Sequence, residues 1–395
     1  MQSKISFYTL FPTSRPQTLL KDPGFIPLYM SSLGYQVNYI TCADIEEIFK
    51  NDNYSALRVL NFIQIDDDRK DKTQAFNGRN KNAIKFLWKH AREIDVLNVY
   101  FLKHSILYGL VYKLRNPKGI LYVKLDMNPY AFIQKEKELI EPLRRWIFGK
   151  YLRSIPDLVS AESTAAYQYV QQRFLSTLSR KDEKLILVPN GVDDMLLEKE
   201  HVAVSLFKQR KNSFVVIGRI GDPIKRQEFI MEAATYITDW KDWKIELVGP
   251  INPEFEAYIT IYFKQYPELK ERVCFIGPIY DRKLLLSKYN ESKVFIMSSK
   301  FESFGLAYVE AQYFGNYILS TPVSSIHDFI EGDNDLGLVV NSAEEMGRAM
   351  QDIIDGKNRI DDAFEKRVEH GQRFRWSTIC KHLDDEIRKI FAQRK

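Results

Sequence analysis

Two glutamates flank a predicted helix start in the second half of the chain. Glu302 lies in a polar turn, residues 298–305, that follows the strand-like run 294–297, and Glu310 lies in a predicted helix over residues 306–314. A carboxylate can accept hydrogen bonds from two neighbouring hydroxyl groups, so one glutamate could hold a ribose diol and the other a sugar hydroxyl. Two unrelated glutamates near a helix start explain this segment equally well when it is taken alone.

The same segment offers a candidate phosphate site. Gly305 lets the backbone come close to a ligand, and the free amide groups of a helix start bind phosphate without needing a particular side chain. The residues that would surround such a ligand are Ser303, Phe304, Gly305 and Leu306.

Two cations follow an earlier strand. The run 214–217 ends at Gly218 and Arg219, and Lys225 precedes a helix-like stretch over residues 226–238. Arg219 offers a planar fork of donors that fits phosphate oxygens, while Lys225 adds a flexible point charge, so a pyrophosphate could use both. Because Arg and Lys are common at loop ends, these residues taken alone favour two solvated surface cations.

The elements that must position these residues occur in two series. Short strand-like runs alternate with helical stretches, which is the pattern of parallel sheets covered by helices. The first series is predicted at residues 5–10, 36–41, 59–65, 96–102, 120–126 and 158–161, and the second at 214–218, 244–248, 273–276, 294–297, 317–320 and 338–340. A charged connector around residues 198–211 separates them. In open α/β sheets, ligands gather at the carboxyl ends of the strands.

Length and composition indicate a globular protein. A chain of 395 residues with 45% hydrophobic residues is expected to form two domains. The three cysteines are odd in number and far apart, which predicts no disulfide framework and suits a reducing cytoplasm. We find no signal peptide and no apolar stretch of roughly 18 to 20 residues that could span a bilayer. The net charge of +5 leaves room for attraction to anionic lipid or phosphate, and no nucleic-acid partner is expected.

The ordered set of motifs resembles a known family. Besides the residues above, the resemblance covers the segments 188–193, with Asn190 and Gly191, then 319–323, 332–340 and 374–376. The chain resembles the retaining glycosyltransferases of family four, whose GT-B fold sets two Rossmann-like parallel-sheet domains on either side of a cleft. The resemblance implies an acceptor-side domain over residues 1–197, a nucleotide-sugar domain over 198–373 and a final helix, 374–395, that returns to the first domain.

The resemblance also implies roles for these residues. Arg219 and Lys225 would contact the donor diphosphate, Glu310 the ribose and Glu302 the transferred sugar. Asn190, ahead of the hinge, would also bind the donor. The donor would be a nucleotide-diphosphate sugar, with a UDP-sugar as the first expectation, and neither a metal nor another cofactor is required. A hexose would be transferred, with retention of its anomeric configuration, to an acceptor glycan, lipid-linked sugar or glycoprotein. A nucleotide-sugar epimerase or hydrolase of the same fold, or a non-catalytic partner subunit, stays open as an alternative.

The first half departs from the family pattern at two places. Lys21 to Phe25 replaces the paired glycines that many members carry, so Gly24 is expected to keep the close backbone approach to the donor, or else to belong to an ordinary turn. Asp126 takes the apparent place of a histidine at the end of a strand. It could orient a sugar hydroxyl or accept the acceptor's proton, or it could cap the next turn. His104 is a weaker candidate, because we place it at a helix start.

Two features invite other interpretations. Residues 66–68 are three aspartates, but they precede the charged run 69–72, so a solvated loop is favoured over a metal site. Residues 143–153 mix basic and aromatic side chains, as helices at membrane surfaces do, although a covering helix of the first domain explains them equally well. The protein is therefore expected in the cytoplasm, and contact with the inner face of the membrane through this helix stays open as an alternative.

Overall fold

The computed structural model describes residues 4–12, 16–68, 80–127, 141–176 and 184–394. The chain divides into two compact units, one of residues 1–190 and 376–395, the other of residues 191–375. The predicted boundaries, after residues 197 and 373, differ from these positions. The amide of Val192 donates to the Phe374 carbonyl at 2.8 Å, and Val192 pairs with Arg375 in a parallel bridge. This pairing ties the segment after Asn190 to the second unit.

The first unit is built on a parallel sheet. Within the described ranges its strands are β1 (Ser6–Leu10), β2 (Gln36–Thr41), β3 (Asn61–Gln64), β4 (Val96–Tyr100), β5 (Ile120–Leu125), β6 (Leu158–Ala161) and β7 (Leu185–Leu187), in the order β3-β2-β1-β4-β5-β6-β7. Every neighbouring pair is parallel. The strand order reverses between β1 and β4.

The second unit repeats this plan. Its strands among the described residues are β8 (Lys211–Ile217), β9 (Lys244–Val248), β10 (Val273–Gly277), β11 (Ser292–Met297), β12 (Tyr317–Ser320) and β13 (Gly337–Val339), in the order β10-β9-β8-β11-β12-β13. All neighbours are again parallel. The order reverses between β8 and β11, which is where open α/β sheets bind their ligands.

Helices connect the strands of both sheets. In the first unit they are α1 (Asp22–Ser32), α2 (Ile45–Ile48), α3 (Lys81–His90), α4 (Leu102–Arg115), α5 (Glu141–Ser154), α6 (Thr164–Val170) and, at the end of the chain, α15 (Trp376–Gln393). In the second they are α7 (Asp194–Lys199), α8 (Gln227–Ala234), α9 (Pro253–Gln265), α10 (Arg282–Glu291), α11 (Leu306–Tyr313), α12 (His327–Ile330), α13 (Ala343–Ile354) and α14 (Phe364–Gly371). Short 3₁₀ segments lie at Pro16–Leu20, Asp52–Val59, Ala91–Glu93, Phe207–Gln209, Pro267–Glu271 and Gln372–Phe374, and a π-helical turn lies at Gln171–Leu175.

The predicted α/β alternation is confirmed, and its errors are shifted element ends and one missed strand. The third strand begins at Asn61 rather than residue 59, because Asp52–Val59 forms a 3₁₀ helix. The fourth ends at Tyr100, since α4 begins at Leu102. The seventh strand was missed because it is only three residues long. The cysteines are free thiols, as predicted.

The last helix, α15, packs on the first unit. The fully buried ring of Trp376 stacks on Phe25 of α1, with 5.9 Å between the ring centroids. Farther along, the Tyr35 hydroxyl donates to Asp384 Oδ1 at 2.7 Å. Burial of Trp376, together with Ile379, Leu383 and Ile387 of the same helix, stabilises its packing on this unit.

Candidate functional site

The candidate site lies at the carboxyl edge of the second sheet, where β8 and β11 are neighbours. The loop after β8 is hydrogen-bonded to the loop after β11 through backbone atoms of both loops. The Ser298 hydroxyl donates to the Lys225 carbonyl at 2.6 Å, the Lys300 amide to the Ile224 carbonyl at 2.8 Å, and Arg226 Nε to the Ser298 carbonyl at 3.1 Å. These bonds explain how residues far apart in sequence share one site.

The tied loops bring Lys225 and Glu302 into direct contact. Lys225 Nζ lies 2.5 Å from Glu302 Oε1, and the Ser299 hydroxyl donates to the same oxygen at 2.6 Å. The two charged side chains are only 22% and 12% exposed. The sequence predicted both as ligand-binding residues, although it gave no sign that they pair with each other. The described hydrogen bonds all fall on Oε1, which leaves Oε2 of Glu302 to accept from a ligand hydroxyl.

Arg219 lies at the outer side of this site. It follows Gly218 at the end of β8, its side chain is 70% exposed, and Nη2 is 2.6 Å from Asp222 Oδ2. A backbone hydrogen bond from Ile224, followed by the nearby cations Arg219 and Lys225, holds the pKa of Asp222 below its usual range. Asp222 therefore carries charge between the two cations. Sequence reasoning missed it, because both residues lie in a loop, where spacing along the chain does not predict contact.

The helix start beside Glu302 has the geometry of an anion site. Gly305 has φ +92°, and no side chain caps the amide groups of α11. A Cβ at Gly305 would lie 2.7 Å from the Tyr308 ring and its backbone would be strained, so glycine is required. Of the predicted neighbours, Ser303 and Leu306 are half-buried, whereas Phe304 is buried against Phe329, with 5.2 Å between the ring centroids. Phe304 therefore offers a ligand only its backbone.

Glu310 is already paired inside the second unit. Oε1 lies 2.5 Å from Arg282 Nη2, and the carboxylate is only 9% exposed. Burial, and then the charge of Glu310, raise the pKa of the nearby Tyr289 hydroxyl well above its ordinary value, so this phenol stays neutral. Arg282 and Tyr289 both belong to α10. No local sequence signal links them to Glu310, because the contact depends on how α10 packs against α11.

Three predicted site residues belong to the first unit. Asp126 is exposed directly after β5, and Asn190 follows β7, where its amide donates to Glu162 at 3.1 Å. Gly24 is buried inside α1, and a Cβ there would lie 1.9 Å from the Leu19 carbonyl. The close approach that Gly24 permits is thus to its own chain, and residues 22–25 are the start of a helix rather than a turn.

The remaining sequence features fall in ordinary structure. Residues 66–68 form a loop in which Asp68 accepts from the Lys81 amide at 2.8 Å, while residues 69–72 lie outside the described residues. His104 is in the first turn of α4, as predicted. Among the described residues, no three His, Cys, Asp or Glu side chains are grouped so as to hold a metal ion. Within the same ranges, no helix combines the length and apolar character needed to cross a bilayer.

Comparison with known proteins agrees with the plan of the second unit. Residues 211–356 match the family model described as "Glycosyl transferases group 1". A "Probable sucrose-phosphate synthase" of Thermosipho melanesiensis is 25% identical over 297 residues, 69% of this chain and 67% of that protein. A "Glycogen synthase" of Bacillus licheniformis is 26% identical over 187 residues, 41% of this chain and 38% of that protein. The chain thus spans about two thirds of the first relative's length and well under half of the second's.

Solved structures resemble the whole chain. The Anabaena protein HepE in complex with UDP has a TM-score of 0.68 at 16% identity, covering 98% of this chain and 100% of that one. The sucrose-phosphate synthase of Thermosynechococcus elongatus gives 0.67 at 17% identity over 99% and 100%. The lipopolysaccharide outer core galactosyltransferase WaaB gives 0.65 at 15% identity over 98% and 99%.

Fold and comparisons together define the class. The two Rossmann-like parallel sheets are those of the GT-B glycosyltransferases. The second sheet, which carries Arg219, Lys225 and the two glutamates, lies within the matched glycosyl transferases group 1 domain.

Proposed function

We propose that this chain is a retaining, metal-independent glycosyltransferase that moves a hexose-type sugar from a UDP-sugar to an acceptor hydroxyl. The observation that carries the proposal is the Lys225–Glu302 pair beside the uncapped start of α11. It sets a cation, a carboxylate and free backbone amides at one edge of a sheet, which are the groups needed to bind a diphosphate joined to a sugar.

The departing diphosphate is the main chemical demand of this reaction. Negative charge grows on its oxygens as the bond to the sugar breaks, so donors that are already in place stabilise the transition state. Lys225 and the amides of α11 are held by the fold, while the exposed Arg219 can turn from Asp222 to a phosphate. These cationic and dipolar groups would stabilise the charge of the departing diphosphate, which a divalent metal stabilises in metal-dependent transferases.

The two glutamates would bind different sugars of the donor. Glu302 Oε2 would accept from a hydroxyl of the transferred hexose, since Oε1 is held by Lys225 and Ser299. Glu310 would accept from the ribose diol through the oxygen that does not contact Arg282. The expectation of a uridine nucleotide is supported by the structural neighbour that holds UDP.

The retaining course and the biological setting rest on resemblance. The acceptor hydroxyl would arrive on the face that the diphosphate leaves, with Asp126 orienting it or taking its proton. WaaB, whose name places it in lipopolysaccharide synthesis, has a similar fold. We therefore propose a role in bacterial-type cell-surface polysaccharide or glycoconjugate synthesis, with a glycan, a lipid-linked sugar or a glycoprotein as acceptor.

Substitution of Arg219 and Glu302 tests the proposed site. The purified full-length chain is screened with a panel of UDP-, GDP- and ADP-sugars by calorimetry, and products are identified by mass spectrometry. Arg219→Ala and Glu302→Ala are expected to fold and to lose transfer by about a hundredfold or more. Arg348→Ala is the matched control, because Arg348 is also exposed and paired with a nearby acid, on α13. Full activity in both site variants would reject the site.

Product analysis separates the alternatives. Product that needs an acceptor supports transfer, whereas loss of donor without acceptor points to an epimerase or hydrolase. Failure to bind any nucleotide diphosphate would favour a non-catalytic partner. The anomeric configuration of the product, read by NMR, tests retention, and activity after treatment with EDTA tests independence from metal.

We further propose that α5 touches the cytoplasmic face of the membrane. Leu143, Trp146 and Ile147 are 62%, 59% and 42% exposed on this helix, and the ammonium of Lys150 lies 5.1 Å from the centre of the Trp146 ring. Exposed apolar and aromatic groups beside basic ones suit an anionic lipid surface. Trp146→Ser should weaken binding to phosphatidylglycerol vesicles, whereas Trp88→Ser, at a comparably exposed tryptophan on α3, should not. Equal vesicle binding by the two variants would show that α5 does not contact the membrane.

A further inference from the structure

Asp222 lies inside the candidate donor site and has no part in the proposed reaction. It belongs to the loop after β8, which also carries Arg219 and Lys225. Its Oδ1 accepts a hydrogen bond from the Ile224 amide at 2.9 Å, and its Oδ2 lies 2.6 Å from Arg219 Nη2. A carboxylate at this place would repel the diphosphate that the loop is proposed to bind, so its presence calls for a reason.

The carboxylate is fixed, whereas its arginine partner is free to move. The Asp222 carbonyl accepts from the amides of Lys225 and Arg226, at 2.9 and 3.2 Å, so the residue closes a tight turn. Its side chain is only 18% exposed, while that of Arg219 is 70% exposed. An exposed ion pair contributes little stability, so Arg219 can exchange the carboxylate for a phosphate. Asp222 would then stay beside the phosphate with its charge uncovered.

The charges of the site cancel before a ligand binds. Arg219 is paired with Asp222, and Lys225 is paired with Glu302 at 2.5 Å, so each cation has one carboxylate. These side chains offer directed hydrogen bonds to a diphosphate but no excess of positive charge. A ligand with one more negative charge therefore gains no attraction from them, in contrast to a site built of cations alone.

The nucleotide gains one negative charge during the proposed reaction. A UDP-sugar carries one negative charge on each phosphate, because the sugar esterifies the terminal phosphate. Free UDP carries a further charge at alkaline pH, since a terminal phosphate loses its second proton with a pKa of about 6. That charge would lie next to the fixed Asp222 carboxylate. The transition state carries only part of it, so the repulsion acts most strongly on the product.

We propose that Asp222 discriminates against the product nucleoside diphosphate and thereby promotes its release after transfer. This inference rests on the proposed function, since it takes the loop after β8 to bind the donor diphosphate. It gives Asp222 a role in specificity, in which the carboxylate favours a donor whose terminal phosphate is esterified over the product whose terminal phosphate is free.

A pair of ligands that differ in one charge tests the proposal. Calorimetry on the full-length chain at pH 8 compares UDP with its β-methyl ester, which has the charge of a donor whatever the sugar. Asp222→Asn keeps an acceptor for the Ile224 amide and removes the charge. We expect it to tighten UDP binding about tenfold more than ester binding, as for one charge a few ångströms away near a protein surface. A change of less than about twofold in the ratio of the two affinities would overturn the proposal.

The same comparison at pH 5 distinguishes charge from loop shape. The terminal phosphate of UDP is then largely protonated, so UDP and its ester carry nearly the same charge. Asp222 stays ionised, because the hydrogen bond from Ile224 lowers its pKa. The substitution should therefore affect both ligands equally at pH 5. An unequal effect as large as that at pH 8 would assign the difference to the shape of the loop and contradict the proposal.

A second neutral variant and a matched control complete the test. Asp222→Ser removes the charge and leaves a hydroxyl that can accept from Ile224, so it should shift the ratio as Asp222→Asn does. Asp362→Asn is the control, because Asp362 pairs at 3.1 Å with Arg359, also three residues earlier, in the segment between α13 and α14. A shift in only one neutral variant, or an equal shift in the control, would contradict the proposal.

The binding of the parent chain keeps two possible failures apart. If the parent binds neither UDP nor its methyl ester, the proposed donor site fails and this inference fails with it. If the parent binds both ligands and the Asp222 variants leave the ratio of affinities unchanged, the proposed function stands and only the role of Asp222 is rejected.

Discussion

Lys225 Nζ lies 2.5 Å from Glu302 Oε1, although the two residues come from loops that follow different strands. The pair fixes the carboxylate and leaves its second oxygen outside the described hydrogen bonds, where we propose that a sugar hydroxyl binds. It also keeps the lysine at the edge of the sheet where a diphosphate would lie. A single contact thus positions both the group that would recognise the sugar and a group that would stabilise the leaving phosphate.

Removal of either member of this pair should reduce both catalysis and stability. Lys225→Met and Glu302→Gln are each expected to lower kcat by about a hundredfold or more and the free energy of unfolding by about 1–3 kcal/mol, because each change leaves a mostly buried polar partner unpaired. Steady-state kinetics and urea unfolding measure the two effects. Lys211→Met is the control, because Lys211 pairs with Glu291 at 2.6 Å at the opposite edge of the same sheet. A large loss of stability with unchanged kcat would give the pair a structural role only.

Two glycines of the site should respond differently to alanine. A Cβ at Gly305 meets the Tyr308 ring at a φ of +92°, whereas nothing lies within 4 Å of a Cβ at Gly218. Gly305→Ala should therefore destabilise the fold by about 1–2 kcal/mol. Gly218→Ala should stay within about 0.5 kcal/mol of the parent and yet weaken UDP binding, because the methyl group would occupy the strand end where phosphate is proposed. Thermal unfolding and calorimetry check both outcomes. Unaltered UDP affinity in Gly218→Ala would show that the phosphate does not bind at this strand end.

The Arg282–Glu310 pair should be mainly a matter of stability. Arg282→Met leaves the Glu310 carboxylate, which is only 9% exposed, without its cation. We expect a loss of about 1–3 kcal/mol in the free energy of unfolding. The double variant Arg282→Met with Glu310→Gln should recover part of it, because no charge is then left unpaired. A double variant as unstable as the sum of the two single ones would show that the charges do not interact.

The buried Glu162 should make stability depend on pH. Its pKa is raised in the folded chain, chiefly by burial and then by Asp126, so the folded state binds its proton more tightly than the unfolded state. Stability from this group is complete at acidic pH and falls as pH rises above about 4.5 toward the folded pKa. Glu162→Gln should match the parent at pH 4 and be more stable at pH 8. Urea unfolding at both pH values tests this, and a variant that is less stable at pH 8 would mean that Glu162 is ionised in the folded chain.

Local patterns were sufficient for most of the architecture. The alternation of apolar strands with helices predicted two parallel-sheet units. Gly218, Arg219, Lys225 and the glutamates could be named as candidates because strand ends and helix starts are visible in sequence. The units divide at Asn190 and Arg375, rather than at the predicted residues 197 and 373, and a hydrogen bond between Val192 and Phe374 joins the two ends of the second unit. Such a contact between distant parts of the chain leaves no local pattern.

The sequence by itself determined the order of elements and the residue types at the ends of the strands. Only the tertiary structure decided which of them meet: Lys225 with Glu302, Arg282 with Glu310, and Glu162 with Asn190. The tertiary structure also shows that Phe304 is a core residue and that Gly24 lies against the Leu19 carbonyl. The physical reason is that helix and strand periodicity depends on neighbouring residues, whereas charge pairing and burial depend on packing between elements that are far apart along the chain.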